Sequence, residues 1–182
     1  KIILDVDTGS DDAVAIICAA LSSKIELHSI CTVWGNRPLS QTTDNTLRVV
    51  DMLGIGETVK VYPGCETSMV ATLLANRHAG YGGQRKSVNG GKEISMHQET
   101  IDELPAPHTL PQNKRAVMHY VDTIMNGEDG EFTLVPVGPL TNIAMALRVE
   151  PRIAKKIKQI VLMGGGCRRS NSTAAAEFNI WG

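Results

Sequence analysis

The chain has 182 residues, 42% of them hydrophobic and 20% charged, with a formal net charge of −1. That length makes one domain or a large piece of one, with apolar content enough for a core. No stretch concentrates Lys and Arg beyond "RIAKKIK" and no apolar run reaches membrane-spanning length, so neither nucleic acid nor a membrane is expected as a partner.

The first element, "KIILDV", reads as a buried strand, not a signal peptide. "DDAVAIICAALSS" follows with helical spacing that puts Val14, Ile17, Ala20 and Leu21 on one face. "IELHSICTV" is a second strand, and "QTTDNTLRVVDMLG" a second helix closing on Gly54. "VKVYPG" is a short third strand. Residues 64–111 then interrupt the pattern with Gly-rich and Pro-rich segments around a short helix-like piece, Met69 to Ala75, and are expected to form a long irregular loop region. "NKRAVMHYVDTIMNG" is a helix, "FTLVPVG" a strand, "PLTNIAMALRVEP" a helix with Pro139 near its first turn, and "IKQIVLMGGG" a strand running into three glycines. Alternating strands and helices predict an α/β fold: one domain over 1–182, an open, mainly parallel sheet with helices on both faces. Ligands of such sheets sit at the carboxyl ends of the strands, where "DVDTGSDD", "TVWGN", "PVGPLTN" and "MGGG" converge. The four cysteines, Cys18, Cys31, Cys65 and Cys167, contain no C-x-x-C pair and are expected to be buried or partly buried free thiols in a reducing, cytoplasmic setting.

Asp5, Asp7, Asp11 and Asp12 lie within eight residues at the end of the first strand. Asp5 and Asp7 are two apart and point the same way, whereas Asp11 and Asp12 stand where the helix amides favour negative charge. Helix capping accounts for one or two of the four. Carboxylates at the end of a buried strand must be protonated, hydrogen-bonded or bound to a cation. Oxygen donors without nearby Cys or His favour Ca²⁺ or Mg²⁺ over zinc. The spacing is not that of an EF-hand. A haloacid-dehalogenase-type phosphatase also ends its first strand in D-x-D but expects Thr or Val two residues later, where this chain has Gly9.

D-x-D-x-G-x-D-D resembles the signature of the nucleoside hydrolases, the inosine-uridine preferring, calcium-dependent N-ribohydrolases. "TVWGN", "VPVGPLTNIAMAL", "IVLMGGG" and "NSTAAAEFNIW" resemble four further segments of that family, in the family's order. The resemblance implies a Rossmann-like nucleoside hydrolase fold, represented by its N-terminal portion. It implies hydrolysis of ribonucleosides to ribose and base by a Ca²⁺-bound water with Asp7 as general base, in purine or pyrimidine salvage. Calcium would be held by Asp7, Asp12 and the Val137 carbonyl. Asp11, Asn36, Met163, Asn171, Glu177 and Asn179 would hold the ribose. Asn36 would stand beside the water, and His78 near the leaving base. A homo-oligomer, dimer or tetramer, is implied as well. Taken singly, several of these residues have plainer readings: Asn36 a turn, His78 a surface-loop histidine, Met163 core, Glu177 and Asn179 solvent-facing positions on a strand. Trp34 is read as a core residue or a pocket wall. Thr8 stands where the family commonly has Pro. The family continues beyond "AEFNIWG" and draws from its later part another calcium-ligating Asp and a His beside the base. The 182 residues alone are therefore expected to be inactive, and a non-catalytic nucleoside- or ribose-binding relative is the alternative reading.

Overall fold

The computed structural model describes residues 1–70, 73, 87–89, 92–94, 97–168, 170–172 and 176–181. In chain order the elements are β1 (Ile2–Val6), α1 (Ser10–Leu21), β2 (Leu27–Thr32), α2 (Leu39–Met52), β3 (Lys60–Pro63), β4 (Ser87–Asn89), β5 (Lys92–Ile94), α3 (Ala116–Asn126), β6 (Thr133–Pro136), α4 (Thr141–Val149), α5 (Ile153–Lys156), β7 (Gln159–Ile160) and α6 (Phe178–Trp181). Among the described residues no helix is long and apolar enough to cross a membrane.

The main sheet has the order β3-β2-β1-β6-β7, and every neighbouring pair is parallel. The apolar run of β1 is central because both its faces are covered. Ile3 packs with Ala116, Tyr120 and Ile124 of α3 and with Ile143 and Ala146 of α4. Leu4 and Val6 face the other way, into a cluster with Ile16 and Ala19 of α1 and Leu47 and Val50 of α2. The chain moves outward from β1 through β2 to β3, then returns through α3 to β6 on the opposite side of β1. That reversal of direction opens a crevice at the carboxyl ends of β1 and β6, the usual place for a ligand in such a sheet.

Three details depart from the sequence reading. The buried face of α1 carries Asp12, Ile16 and Ala19, while Val14 and Leu21 are 58% and 73% exposed. The helix is rotated so that Asp12 turns inward at the crevice, and the residues four and seven positions later follow it. Cys18, on the outer side of α1, and Cys167 are exposed; Cys31 is buried and Cys65 half-buried, and all four are free thiols. Within residues 64–111, β4 and β5 pair antiparallel as a two-stranded sheet. The helix α2 ends at Met52, and Gly54 follows in the left-handed conformation with φ of 66°. Parallel pairing beside β6 continues past β7, with the amides of Val161 and Met163 donating to the carbonyls of Leu134 and Pro136. Ile160, Val161, Leu162 and Met163 remain 40–52% exposed.

Candidate active site

The site begins where β1 runs out of apolar residues. Asp5, still in the strand, turns toward α3 and α4 and is 1% exposed. It accepts from the Tyr120 hydroxyl at 2.8 Å and from Asn142 Nδ2 at 3.0 Å, so a buried carboxylate to which the sequence assigned no role is hydrogen-bonded. Its backbone carbonyl accepts the Val137 amide at 2.8 Å, tying the turn after β6 to β1.

Asp7, just past the strand, lies on the floor of the crevice. Its Oδ2 accepts the Asn36 amide at 2.7 Å, and its carbonyl accepts Asn36 Nδ2 at 3.3 Å. Two glycines make room for this carboxylate. A Cβ on Gly35 would stand 2.1 Å from Asp7 Oδ2, and one on Gly138 2.9 Å from Oδ1. Thr8 turns inward, and its hydroxyl shares a 2.6 Å hydrogen bond with that of Thr46. Gly9 then caps α1, and its amide donates to Asp12 Oδ2 at 3.1 Å.

Burial pushes the Asp7 carboxyl well above its usual range, and the neighbouring Asp12 charge adds to the push. Burial likewise raises Asp12 to about 6 and Asp5 to about 7. Among the described residues no group of three or more His, Cys, Asp or Glu side chains forms a metal cluster. Among the described residues, Asp7 and Asp12 are neighbouring buried carboxylates here, with the Asp11 charge beside them. Among the described residues Asp12 Oδ1 is buried without a hydrogen-bond partner, an acceptor whose burial a cation would offset. Hard oxygen donors with an orphaned carboxylate atom fit a divalent cation such as Ca²⁺ or Mg²⁺. The Val137 carbonyl accepts Asn179 Nδ2 at 2.7 Å and keeps a second lone pair.

Above Asp7 lies a cavity of about 160 Å³. Asp7, Asn36 and Val137 line it from the turns after β1, β2 and β6, Asp11 from the first turn of α1, and Met163, Asn171, Glu177 and Asn179 from the segment after β7. Glu177 organises this second group: its Oε1 accepts Asn171 Nδ2 at 2.9 Å and its Oε2 accepts the Asn179 amide at 2.8 Å. Asn179 Nδ2 also donates to the Met163 carbonyl at 3.0 Å. Asp12 sits buried beside the cavity floor. His78 lies outside the described residues. Trp34 is 1% exposed, and its ring meets Phe178 edge-on with centroids 6.0 Å apart, so it backs the wall and does not line it.

Two lining residues were absent from the sequence reading. Phe178 lies inside the block "NSTAAAEFNIW", between two residues that were singled out, and its position alone could have raised it. His97 comes from the irregular region and is close enough to the acidic turn that a Cβ on Gly9 would stand 2.6 Å from its Nδ1. No periodicity marks it.

The family model described as inosine-uridine preferring nucleoside hydrolase matches residues 2–182. The chain belongs to this family. It is 41% identical over 180 residues to the inosine-uridine preferring nucleoside hydrolase of Crithidia fasciculata, covering 99% of the present chain and 53% of that protein. It is also 41% identical over 185 residues to the pyrimidine-specific ribonucleoside hydrolase RihB of Escherichia coli, across 100% of this chain and 52% of the relative. Among solved structures, the purine-preferring ribonucleoside hydrolase from Gardnerella vaginalis superposes with a TM-score of 0.78 at 32% identity, over 98% of this chain and 53% of that one. The chain therefore has the nucleoside hydrolase fold and spans about half the length of the curated relatives it matches.

Proposed function

We propose that the protein containing this chain hydrolyses the N-glycosidic bond of ribonucleosides, releasing ribose and the free base. The observation that carries the reading is Asp7: a buried carboxylate with a raised pKa, held by Asn36 between two glycines under a cavity lined with hydroxyl-binding groups. The named relatives span purine and pyrimidine nucleosides, so the substrate class assigned is ribonucleosides as a whole.

In this mechanism a water oxygen bonds to C1′ of the ribose, the C1′–N bond breaks, and the bonding pair leaves with the base. Asp7 takes the proton that the water loses. The Asn36 amide holds Oδ2 of this carboxylate and fixes its orientation for that transfer. Ca²⁺ would be held by Asp7, Asp12 and the Val137 carbonyl; when bound it offsets the paired negative charge and makes water more acidic. Asp11, Asn171, Glu177 and Asn179 bind ribose hydroxyls, and Met163 packs beneath the sugar. The acidic lining stabilises the positive charge that develops on the sugar ring. Fixed polar partners discriminate against 2′-deoxy substrates, which would leave them unpaired. The base departs with a proton or hydrogen bond from the loop region. His78 is assigned there by resemblance, and His97, beside Asp11 and Asn36 across Gly9, adds a donor from the same region. A cytoplasmic dimer or tetramer acting in nucleoside salvage belongs to the same reading.

The test is ribose release from inosine, uridine and other ribonucleosides, with calcium present, by the product of the full reading frame. Release from at least one is expected, and none from any of them overturns the proposal. Tight ribose binding without release would identify a non-catalytic relative.

A further inference from the structure

Residues 97–101 contain no regular secondary structure, yet buried side chains from elsewhere bind their backbone. Asn45, on α2 and 1% exposed, accepts the Ile101 amide at 3.0 Å through Oδ1. Its Nδ2 donates to the Glu99 carbonyl at 3.4 Å and to the Thr8 carbonyl, in the acidic turn, at 3.2 Å. One carboxamide thus joins the turn that carries Asp7 to the segment that carries His97. Arg37, next to Asn36, adds a hydrogen bond from Nη2 to the His97 carbonyl and places Nη1 3.6 Å from the Glu99 carboxylate. Farther along, Arg48 Nη1 donates to the Leu104 carbonyl at 2.6 Å.

We propose that Asn45, supported by Arg37, is a positioning residue that fixes His97 in the cavity by clamping residues 97–101 to the acidic turn. This rests on the hydrolase reading above. An irregular segment has many conformations available to it, and holding it in one of them costs conformational entropy at every residue. A side chain that works against a substrate must nevertheless stay within about 0.5 Å of its productive place. The Asn45 carboxamide uses both of its N–H groups and its oxygen on backbone atoms of the two parts that must stay in register. An apolar residue of similar size would fill the space and hold neither part. Arg37 adds a contact at the His97 carbonyl itself, so the clamp closes on the residue whose side chain enters the cavity.

The test uses the full-reading-frame protein carrying Asn45→Ala, Arg37→Lys and His97→Ala, and each of the first two combined with the third. Amide hydrogen exchange is read first. Asn45→Ala should speed exchange at Glu99 to Ile101 by about 10-fold or more while α2 and β1 keep their protection, because local opening is cooperative within a unit. Ribose release is read next. Asn45→Ala and Arg37→Lys should each lower kcat/KM by about 10-fold or more, as expected when a working group is displaced. In the His97→Ala background each should cost less than about 2-fold, because residues acting through one group are not additive. Unchanged exchange at residues 99–101, or the same fold loss with and without His97, overturns the inference. If Asn45→Ala does not fold, Arg37→Lys decides by the same two readings. Absence of ribose release from the unsubstituted protein would sink the hydrolase reading, and the exchange result would still decide whether the clamp exists.

Discussion

The Tyr120 hydroxyl, on α3, donates to the Asp5 carboxylate at 2.8 Å directly beneath the acidic turn. Asp5 is pushed up to about 7, chiefly by burial, with the Asn142 and Tyr120 hydrogen bonds opposing the push. Between its ordinary value of 3.8 and about 7 the folded chain keeps a proton that the unfolded chain has lost, so this group makes stability fall as pH rises through that window. Tyr120→Phe removes a donor to the charged form and pushes Asp5 higher still. The variant should lose about 1.5–3 kcal/mol at pH 8, the range for a hydrogen bond to a charged group, and less at pH 5, where Asp5 is protonated in the fold. Denaturant unfolding at the two pH values measures this, and equal losses would count against it.

Asp7→Asn keeps the size of the side chain and removes the carboxylate proposed as the base. The chemical step should slow by at least roughly 10²-fold, the lower range for loss of a general base, while ribose binding through Asp11 and Asn179 persists. Single-turnover ribose release and equilibrium ribose binding separate the two effects. Near-normal turnover would remove Asp7 from the mechanism.

Gly35→Ala tests how tightly the Asp7 carboxylate is seated. The new methyl would meet Asp7 Oδ2 at 2.1 Å and Cγ at 2.8 Å, so the carboxylate must shift. Activity should fall about 10²-fold, the cost expected of a displacement near 1 Å, with a smaller change in melting temperature. Gly138→Ala, at 2.9 Å from Oδ1, should be milder. A Gly35→Ala enzyme with full activity would show that the seat is not needed.

Calcium and protons should compete for the same oxygens. Burial raises Asp12 to about 6 and Asp7 well above the usual range, so in mildly acid solution this pair is harder to ionise than ordinary carboxylates. A cation needs them ionised. The rise in melting temperature on adding calcium, and its loss on chelation, should therefore be small at pH 5 and larger at pH 8. Melting curves across that range check it, and a calcium effect that is larger at pH 5 contradicts the assignment.

The strand and helix alternation was legible because buried parallel strands are short, apolar and β-branched. The crevice followed from where the polar turns fell. The rotation of α1 was not, because its apolar residues are spread around the helix and only the inward turn of Asp12 selects Ile16 and Ala19 over Val14 and Leu21. The partners of Asp5 come from 115 and 137 positions away, a pairing no local pattern encodes. His97 was illegible for a related reason: backbone contacts to Asn45 and Arg37 place it, and those depend on the fold and not on neighbouring residue types.

Asn179 Nδ2 reaches the carbonyl of Val137 at 2.7 Å and that of Met163 at 3.0 Å. One amide group thereby belongs both to the wall assigned to the sugar and to the carbonyl assigned to the ion. A sugar hydroxyl that drew this amide toward itself would change the electron density left on the Val137 oxygen, and an ion on that oxygen would change how readily the amide turns. Thermodynamic reciprocity then applies: whatever factor the ion contributes to sugar affinity, the sugar returns to ion affinity. If ion and sugar bind as proposed, altering Asn179 to accept a different sugar would therefore retune the ion site as well.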